Sequence, residues 1–274
     1  MFNPRLGCSS ISFRHLDLPN ALQTMGEIGF EEIDLGALPG VCNHVPYALG
    51  EEDVRVVSAQ ISASGLNVRS VNGDIGDLNA MLGVDAQKER DGHLEMLLAL
   101  AVETGAKALV LPCGALNRDP LASLDADLDV VASSLARAQK RADAMGIELW
   151  TEALHYFRLC SDMDRAGRLI GRLAGSGVGS VMDFSHIVAS GADPLDFIDR
   201  FHGTIAHVHL RDAVPGNINL SIGNGETDFA AGLAALQAKG YAGHFSLELE
   251  TRDVADDERP TAAAQAATHI STLI

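Results

Sequence analysis

Short apolar runs alternate along the chain with longer segments in which apolar positions recur every three or four residues, the period of an amphipathic helix. The runs predict strands at residues 6–12, 30–35, 67–71, 108–111, 147–151, 178–182, 205–208 and 244–247. The helical spacing predicts helices at residues 17–28, 51–63, 85–104, 121–145, 162–174, 194–201, 229–239 and 261–273. Glycine stands just after several helical segments (Gly29, Gly65, Gly105, Gly146, Gly240), where a helix C-cap needs a left-handed residue. Pro194 falls in the first turn of its helix, where its missing N–H costs least.

Eight strand–helix units in 274 residues match a single (β/α)₈ TIM barrel of the α/β class, a fold of typically about 250 residues. A doubly wound open sheet is the rival. It often carries a glycine-rich phosphate turn after its first strand, and the first strand here runs into Cys8-Ser9-Ser10-Ile11 instead. No Walker A pattern, linker or low-complexity stretch interrupts the alternation, so residues 1–274 read as one domain.

Composition narrows the function classes. Hydrophobic residues make up 47% of the chain, enough for a large core, yet no apolar stretch is long enough to span a bilayer. The N-terminus has no signal-like apolar segment, so a cytoplasmic protein away from membranes is expected. A net charge of −17 argues against nucleic-acid partners, which need basic surface. The four cysteines form no CxxC and read as free thiols in a reducing compartment.

Candidate chemistry gathers at the predicted strand ends of the second half. Glu152, Asp183, His209 and Glu248 each follow an apolar run, about one β/α repeat apart. In a barrel these ends converge on one mouth, where distant residues can share a divalent cation. Three carboxylates and an imidazole suit Mg²⁺, Mn²⁺ or Co²⁺, with Zn²⁺ a further option. A lone strand-end acid is more often a loop cap or an ion-pair member; four together lower that alternative. His155 and His186 stand three residues after Glu152 and Asp183, and Arg211-Asp212 follows His209. His207 shares strand parity with His209 but sits deeper, as a barrel-interior histidine would. Glu250 shares parity with Glu248, and alternation leaves both open.

Glu152-Ala153-Leu154-His155, Asp183-Phe184-Ser185-His186, His207-Val208-His209-Leu210-Arg211-Asp212 and the run from Gly240 to Glu248 resemble the pattern of the xylose isomerase-like TIM barrels. That group includes sugar phosphate isomerases and epimerases, ketose 3-epimerases, hydroxypyruvate isomerases, inosose dehydratases and endonuclease IV. The resemblance covers most of the chain and selects Glu248 over Glu250 and His209 over His207. It implies a metal held by Glu152, Asp183, His209 and Glu248. Glu152 and Glu248 would be the acid/base pair, one removing a proton α to a carbonyl through a metal-stabilised enediolate and the other returning it. His155, His186 and Arg211 would bind substrate. A small carbohydrate or polyol is the implied partner, and a homo-oligomer is compatible because lid loops in this group often pack against a neighbour.

Two departures bear on the substrate. Ketose 3-epimerases of the group usually carry a second Glu six residues after the first, and an Arg six residues after the ligand His. Arg158 and Pro215 occupy those positions. An isomerase or epimerase leads, with an inosose-type dehydratase on the same site as the alternative. An endonuclease IV-like nuclease, with His44, His155, His186 and His209 as ligands, conflicts with the acidic balance. The presence of all four ligand-type residues weighs against a non-catalytic sugar-binding barrel. Two loops stand out besides: residues 36–47 as a wall or lid, and residues 223–229 as a weak phosphate-binding signature.

Overall fold

Every predicted apolar run becomes a strand buried along most of its length, which only a sheet covered on both faces permits. The computed structural model describes residues 2–274. In chain order the first half comprises β1 (Leu6–Ser9), α1 (Leu18–Ile28), β2 (Glu32–Ala37), α2 (Glu51–Ser64), β3 (Asn67–Gly73), α3 (Val84–Glu103), β4 (Ala108–Pro112) and α4 (Leu124–Ala144). The second half comprises β5 (Glu148–Glu152), α5 (Met163–Arg172), β6 (Gly179–Asp183), α6 (Phe184–Ala189), α7 (Pro194–Phe201), β7 (Ile205–Leu210), β8 (Asp212–Val214), β9 (Asn217–Leu220), α8 (Phe229–Ala238), β10 (Phe245–Leu247) and α9 (Arg259–Ser271).

Eight strands close into a barrel in the order β1-β10-β7-β6-β5-β4-β3-β2, and all the pairings are parallel. The chain is therefore a (β/α)₈ barrel. No helix among the described residues is long and apolar enough to cross a membrane. All four cysteines are free and buried.

Helix boundaries follow local chemistry. Asp17 caps α1 by accepting from the Asn20 N–H (3.0 Å), and Gly29 ends it at φ +107°, a conformation that costs a Cβ-bearing residue dearly. Asp193 caps α7 in the same way through the Leu195 N–H (2.8 Å), ahead of Pro194.

Three features depart from the pattern read from the sequence. The first strand stops at Ser9, because residues 10–13 turn into a 3₁₀ segment whose serines bond elsewhere. Ser10 Oγ accepts from the Gly36 N–H (2.9 Å), and Ser12 Oγ accepts from the Leu249 N–H (2.8 Å). Helix α6 starts directly after β6 with no loop between, and all six of its residues are buried, so no periodicity marked it. The loop expected after the seventh strand begins with an antiparallel hairpin, β8–β9, turning at Gly216 (φ +86°).

The hairpin region also corrects the phosphate expectation for residues 223–229. Asp212 Oδ2 accepts from the N–H groups of Gly223 (2.8 Å) and Gly225 (2.9 Å). Its Oδ1 accepts from Thr227 (3.1 Å) and Ala213 (2.8 Å). These amides are already engaged by a carboxylate and do not face a substrate phosphate. A Cβ at Gly225 would collide with Asp212 and with the Ala213 carbonyl, which explains the glycine. Asp212→Ala is expected to destabilise the protein by about 2–3 kcal/mol, less than four charge-assisted bonds would sum to, because freed N–H groups can take up water. Urea unfolding of the two proteins measures this.

Candidate metal centre

Strand alternation points every second residue into the barrel, and the inward set is polar at two successive levels. At the mouth, Glu152 ends β5, Asp183 ends β6, His209 lies near the end of β7 and Glu248 follows β10. Register enforces their meeting, since Asp183 is paired with His209 across β6–β7 and Ser246 with His209 across β7–β10. One ligand atom from each of the four lies within 4.8 Å of the others, and all four residues are buried. His209 Nδ1 is 3.7 Å from Glu152 Oε1 and 3.5 Å from Glu248 Oε2.

These residues fit a divalent cation. Glu152 Oε1 and His209 Nδ1 are buried without a hydrogen-bond partner, an arrangement that costs free energy unless something positive lies between them. Burial first, and then the charges of Glu248 and Asp183, push the Glu152 carboxyl up to about 7, although a contact with His209 opposes this. Burial favours a neutral His209, but Glu248, Asp34 and Glu152 outweigh it and raise its pKa well above the ordinary value.

One level below, Asp34 on β2 organises the base of the site. Its Oδ2 is 2.8 Å from His207 Nε2 and 3.4 Å from His209 Nε2, and its Oδ1 accepts from Ser70 Oγ (2.7 Å). Burial would raise the Asp34 pKa, yet His207 and His209 overcome it and hold the carboxyl well below its usual range. The 2.8 Å contact has the length of a direct hydrogen bond between Asp34 and His207. Asp34 thus places its charge beside His209 Nε2 without hydrogen-bonding it, while Nδ1 of the same ring faces Glu152 and Glu248 at the mouth. His207 is the interior histidine expected from parity, and its ring stacks on Trp150 with centroids 5.3 Å apart.

The substrate-type residues surround the mouth. His186 Nε2 lies 3.7 Å from Glu152 Oε1, and His155 Nε2 lies 3.9 Å from Glu152 Oε2. Their rings are 3.9 Å apart. His186 Nδ1 accepts from the Tyr156 N–H (3.0 Å), which leaves the proton of the neutral ring on Nε2, among Glu152, Asp183 and Arg211. Burial keeps both histidines neutral, lowering each pKa well below the ordinary value; for His186, Arg211 adds to this. Arg211 donates from Nε to Ser185 Oγ (3.1 Å) and from Nη2 to Asp183 Oδ2 (3.3 Å). It thereby offsets part of the negative charge of the cluster.

A cleft of about 460 Å³ opens over these groups, a size suited to a small molecule. Leu38, Pro39 and Val41 wall one side, so the loop after β2 does border the site. Arg158 also lines the cleft, held by Asp74 Oδ2 (2.7 Å) and the Gly114 carbonyl (3.0 Å). Pro215 instead sits in the β8–β9 turn, off the cleft. His44 is bonded to Ser10 Oγ (3.0 Å) and the Leu16 carbonyl (3.1 Å), outside all three clusters of ligand-type residues found among the described residues.

Sequence reasoning missed Asp34, Asn72, Asp74 and Asn219. Asn72 on β3 donates to Glu248 Oε1 (3.3 Å), and Asn219 on β9 lines the cleft. The available signal was a polar residue at an inward position of an apolar strand, as in Ile33-Asp34-Leu35 and Val71-Asn72.

Comparison with known proteins agrees with this architecture. A 3-dehydroshikimate dehydratase of Pseudomonas aeruginosa is 24% identical over 241 residues, covering 85% of this chain and 36% of that protein. The chain thus spans about a third of that relative's length. The structure of 3-keto-D-glucoside 4-epimerase from E. coli superposes with a TM-score of 0.76 at 20% identity, covering 96% of this chain and 99% of the epimerase. The IolI protein with a bound zinc atom gives 0.79 at 16% identity, covering 98% and 99%. D-Psicose 3-epimerase from Clostridium cellulolyticum H10 gives 0.78 at 14% identity, covering 98% and 99%. The family model described as xylose isomerase-like TIM barrel matches residues 22–273, and the chain belongs to that family.

Proposed function

We propose that the protein is a divalent-metal-dependent isomerase or epimerase that moves a proton α to a carbonyl on a small sugar or polyol. The observation that carries this is the convergence of Glu152, Asp183, His209 and Glu248 at one buried point, with Glu152 Oε1 and His209 Nδ1 unpaired. A cation held there, Mn²⁺, Mg²⁺, Co²⁺ or Zn²⁺, would supply positive charge against the negative charge that develops on the substrate oxygens. The zinc bound by the IolI neighbour supports a metal in this fold.

The protein's own residues divide the remaining work. Glu152 and Glu248 stand on β5 and beyond β10, either side of His209. One carboxylate takes the proton from carbon and the other returns one. Return to the opposite face of the same carbon gives an epimer; return to the neighbouring carbon, with the hydroxyl proton passed from one substrate oxygen to the other, gives an isomer. His186 donates from Nε2 to a substrate oxygen, and Asn72 holds Glu248 Oε1. The apolar wall of Leu38, Pro39 and Val41 limits water at the reacting carbon.

Chelation is expected to abolish solvent deuterium uptake into ketoses or inososes, and added Mn²⁺ is expected to restore it. Absence of metal-dependent C–H exchange across such a screen would sink the reading. A dehydratase on the same site is the second reading, supported by the 3-dehydroshikimate dehydratase relative. It starts from the same proton abstraction but expels a β-hydroxyl, so a product lighter by one water distinguishes it.

A further inference from the structure

The rim of the cleft is polar on one side and apolar on the other. The four ligand-type residues occupy the side formed by β5, β6, β7 and β10. Around the side from β2 to β5, three separate loops each present an exposed apolar side chain to the same cavity. Val41, on the loop after β2, is 38% exposed; Leu116, after β4, is 65% exposed; Phe157, after β5, is 41% exposed. Leu38 and Pro39 stand beside them in the lining. The backbone under each of these side chains is held in place. Leu38 and Cys42 exchange backbone bonds (3.2 and 2.8 Å) across the turn that carries Val41. Ala115, next to Leu116, donates to Asn79 Oδ1 (2.9 Å) and accepts from the Leu159 N–H (3.1 Å). The Phe157 N–H donates to His155 Nδ1 (3.3 Å), and its ring packs on Tyr156 with centroids 5.1 Å apart.

Apolar side chains left singly on a surface need no cause, but a group of them around one cavity marks a binding surface. A bare sugar does not match it. Asp74 and Arg158, polar side chains lining the cleft on this side, are bonded to each other (2.7 Å), and Asn72 is bonded to Glu248 Oε1 (3.3 Å). Hydroxyls facing the apolar collar would give up water with few partners in return, which weakens binding. Carbon surface gains from the same contact, and a cavity of about 460 Å³ has the volume for a ligand larger than a sugar ring.

We propose that Leu38, Val41, Leu116 and Phe157 hold an apolar group of aryl size, and that the substrate carries such a group joined to the carbons that react beside Glu152 and Glu248. The collar rests on the reaction centre proposed above, but it is tested by binding rather than turnover. Calorimetric titration of the full chain loaded with stoichiometric Mn²⁺ would compare acetohydroxamate with benzohydroxamate and 3-phenylpropanohydroxamate. The three probes share a head that binds Mn²⁺ through two oxygens and differ in the tail. At least one phenyl probe is expected to bind about tenfold tighter than acetohydroxamate, the lower end of what burying an aromatic ring yields. Leu116→Ser combined with Phe157→Ser should remove most of that gain, with acetohydroxamate as the internal reference for each protein. Met81→Ser, at an exposed apolar position outside the cleft lining, should keep it. Phenyl probes binding no tighter than acetohydroxamate, or a gain that the double variant retains, would overturn the collar and leave the centre standing. Binding of none of the three would remove the centre and the collar together. Sedimentation of parent and double variant covers the other occupant. Self-association lost in the double variant, with no phenyl gain in the parent, would assign the collar to a second copy of the chain and overturn the proposal.

Discussion

Glu152→Gln is expected to lower turnover by about a thousandfold, within the range that a positioned proton carrier contributes. The amide keeps the shape and one coordinating oxygen but cannot accept a proton from carbon. Little structural penalty should accompany the loss. Burial and the charges of Glu248 and Asp183 already disfavour the ionised Glu152 in the metal-free protein. A neutral side chain relieves that repulsion, so the metal-free variant should unfold at an equal or higher temperature than the parent. Metal analysis of the purified variant belongs beside the kinetics. Turnover at the parental rate with metal bound would show that Glu152 carries no proton, and Glu248→Gln would then be the decisive comparison.

Asp34→Ala is expected to cost about 3–5 kcal/mol of stability, as when one member of a buried charge pair is removed. His207 would lose its 2.8 Å partner and Ser70 its acceptor, both inside the barrel where water cannot easily substitute. His209 would also lose the carboxylate beside Nε2, so metal affinity should fall by about 10–100-fold. Asp34→Asn separates the two effects. It keeps the volume and one acceptor, so stability should recover in part while metal binding stays weakened. Urea unfolding and metal titration read them out independently. Parental metal affinity in a folded Asp34→Asn protein would show that His209 is oriented without the charge on Asp34.

Much of the barrel was legible because its signals are local. An apolar run buried on both faces looks the same wherever it sits in the chain, and glycine marks the turn after a helix. Where side chains bonded across the molecule, the local signal failed. Ser10 and Ser12 end the first strand by pairing with Gly36 and Leu249, which no nearby residue announces. The buried helix α6 lacked a polar face, and the β8–β9 hairpin was hidden among turn residues.

The same division runs through the candidate centre. Glu152, Asp183, His209 and Glu248 could be named from sequence because each ends an apolar run, and a closed parallel barrel brings such ends together. Sequence and family resemblance together also preferred His209 to His207 and Glu248 to Glu250. The reason for the first preference is tertiary. Asp34 engages His207 one level down and leaves His209 Nδ1 facing the mouth. Asp34 and His209 are far apart along the chain and meet only when the barrel closes. The amides of residues 223–227 likewise look available for phosphate until Asp212 folds back onto them. Sequence by itself determined which residue types end the strands and how often the β/α unit repeats, because both depend on neighbours in the chain. Which of those groups are already paired, and which are left free for a metal or a substrate, was decided by tertiary structure, because hydrogen bonding and desolvation depend on distance in space.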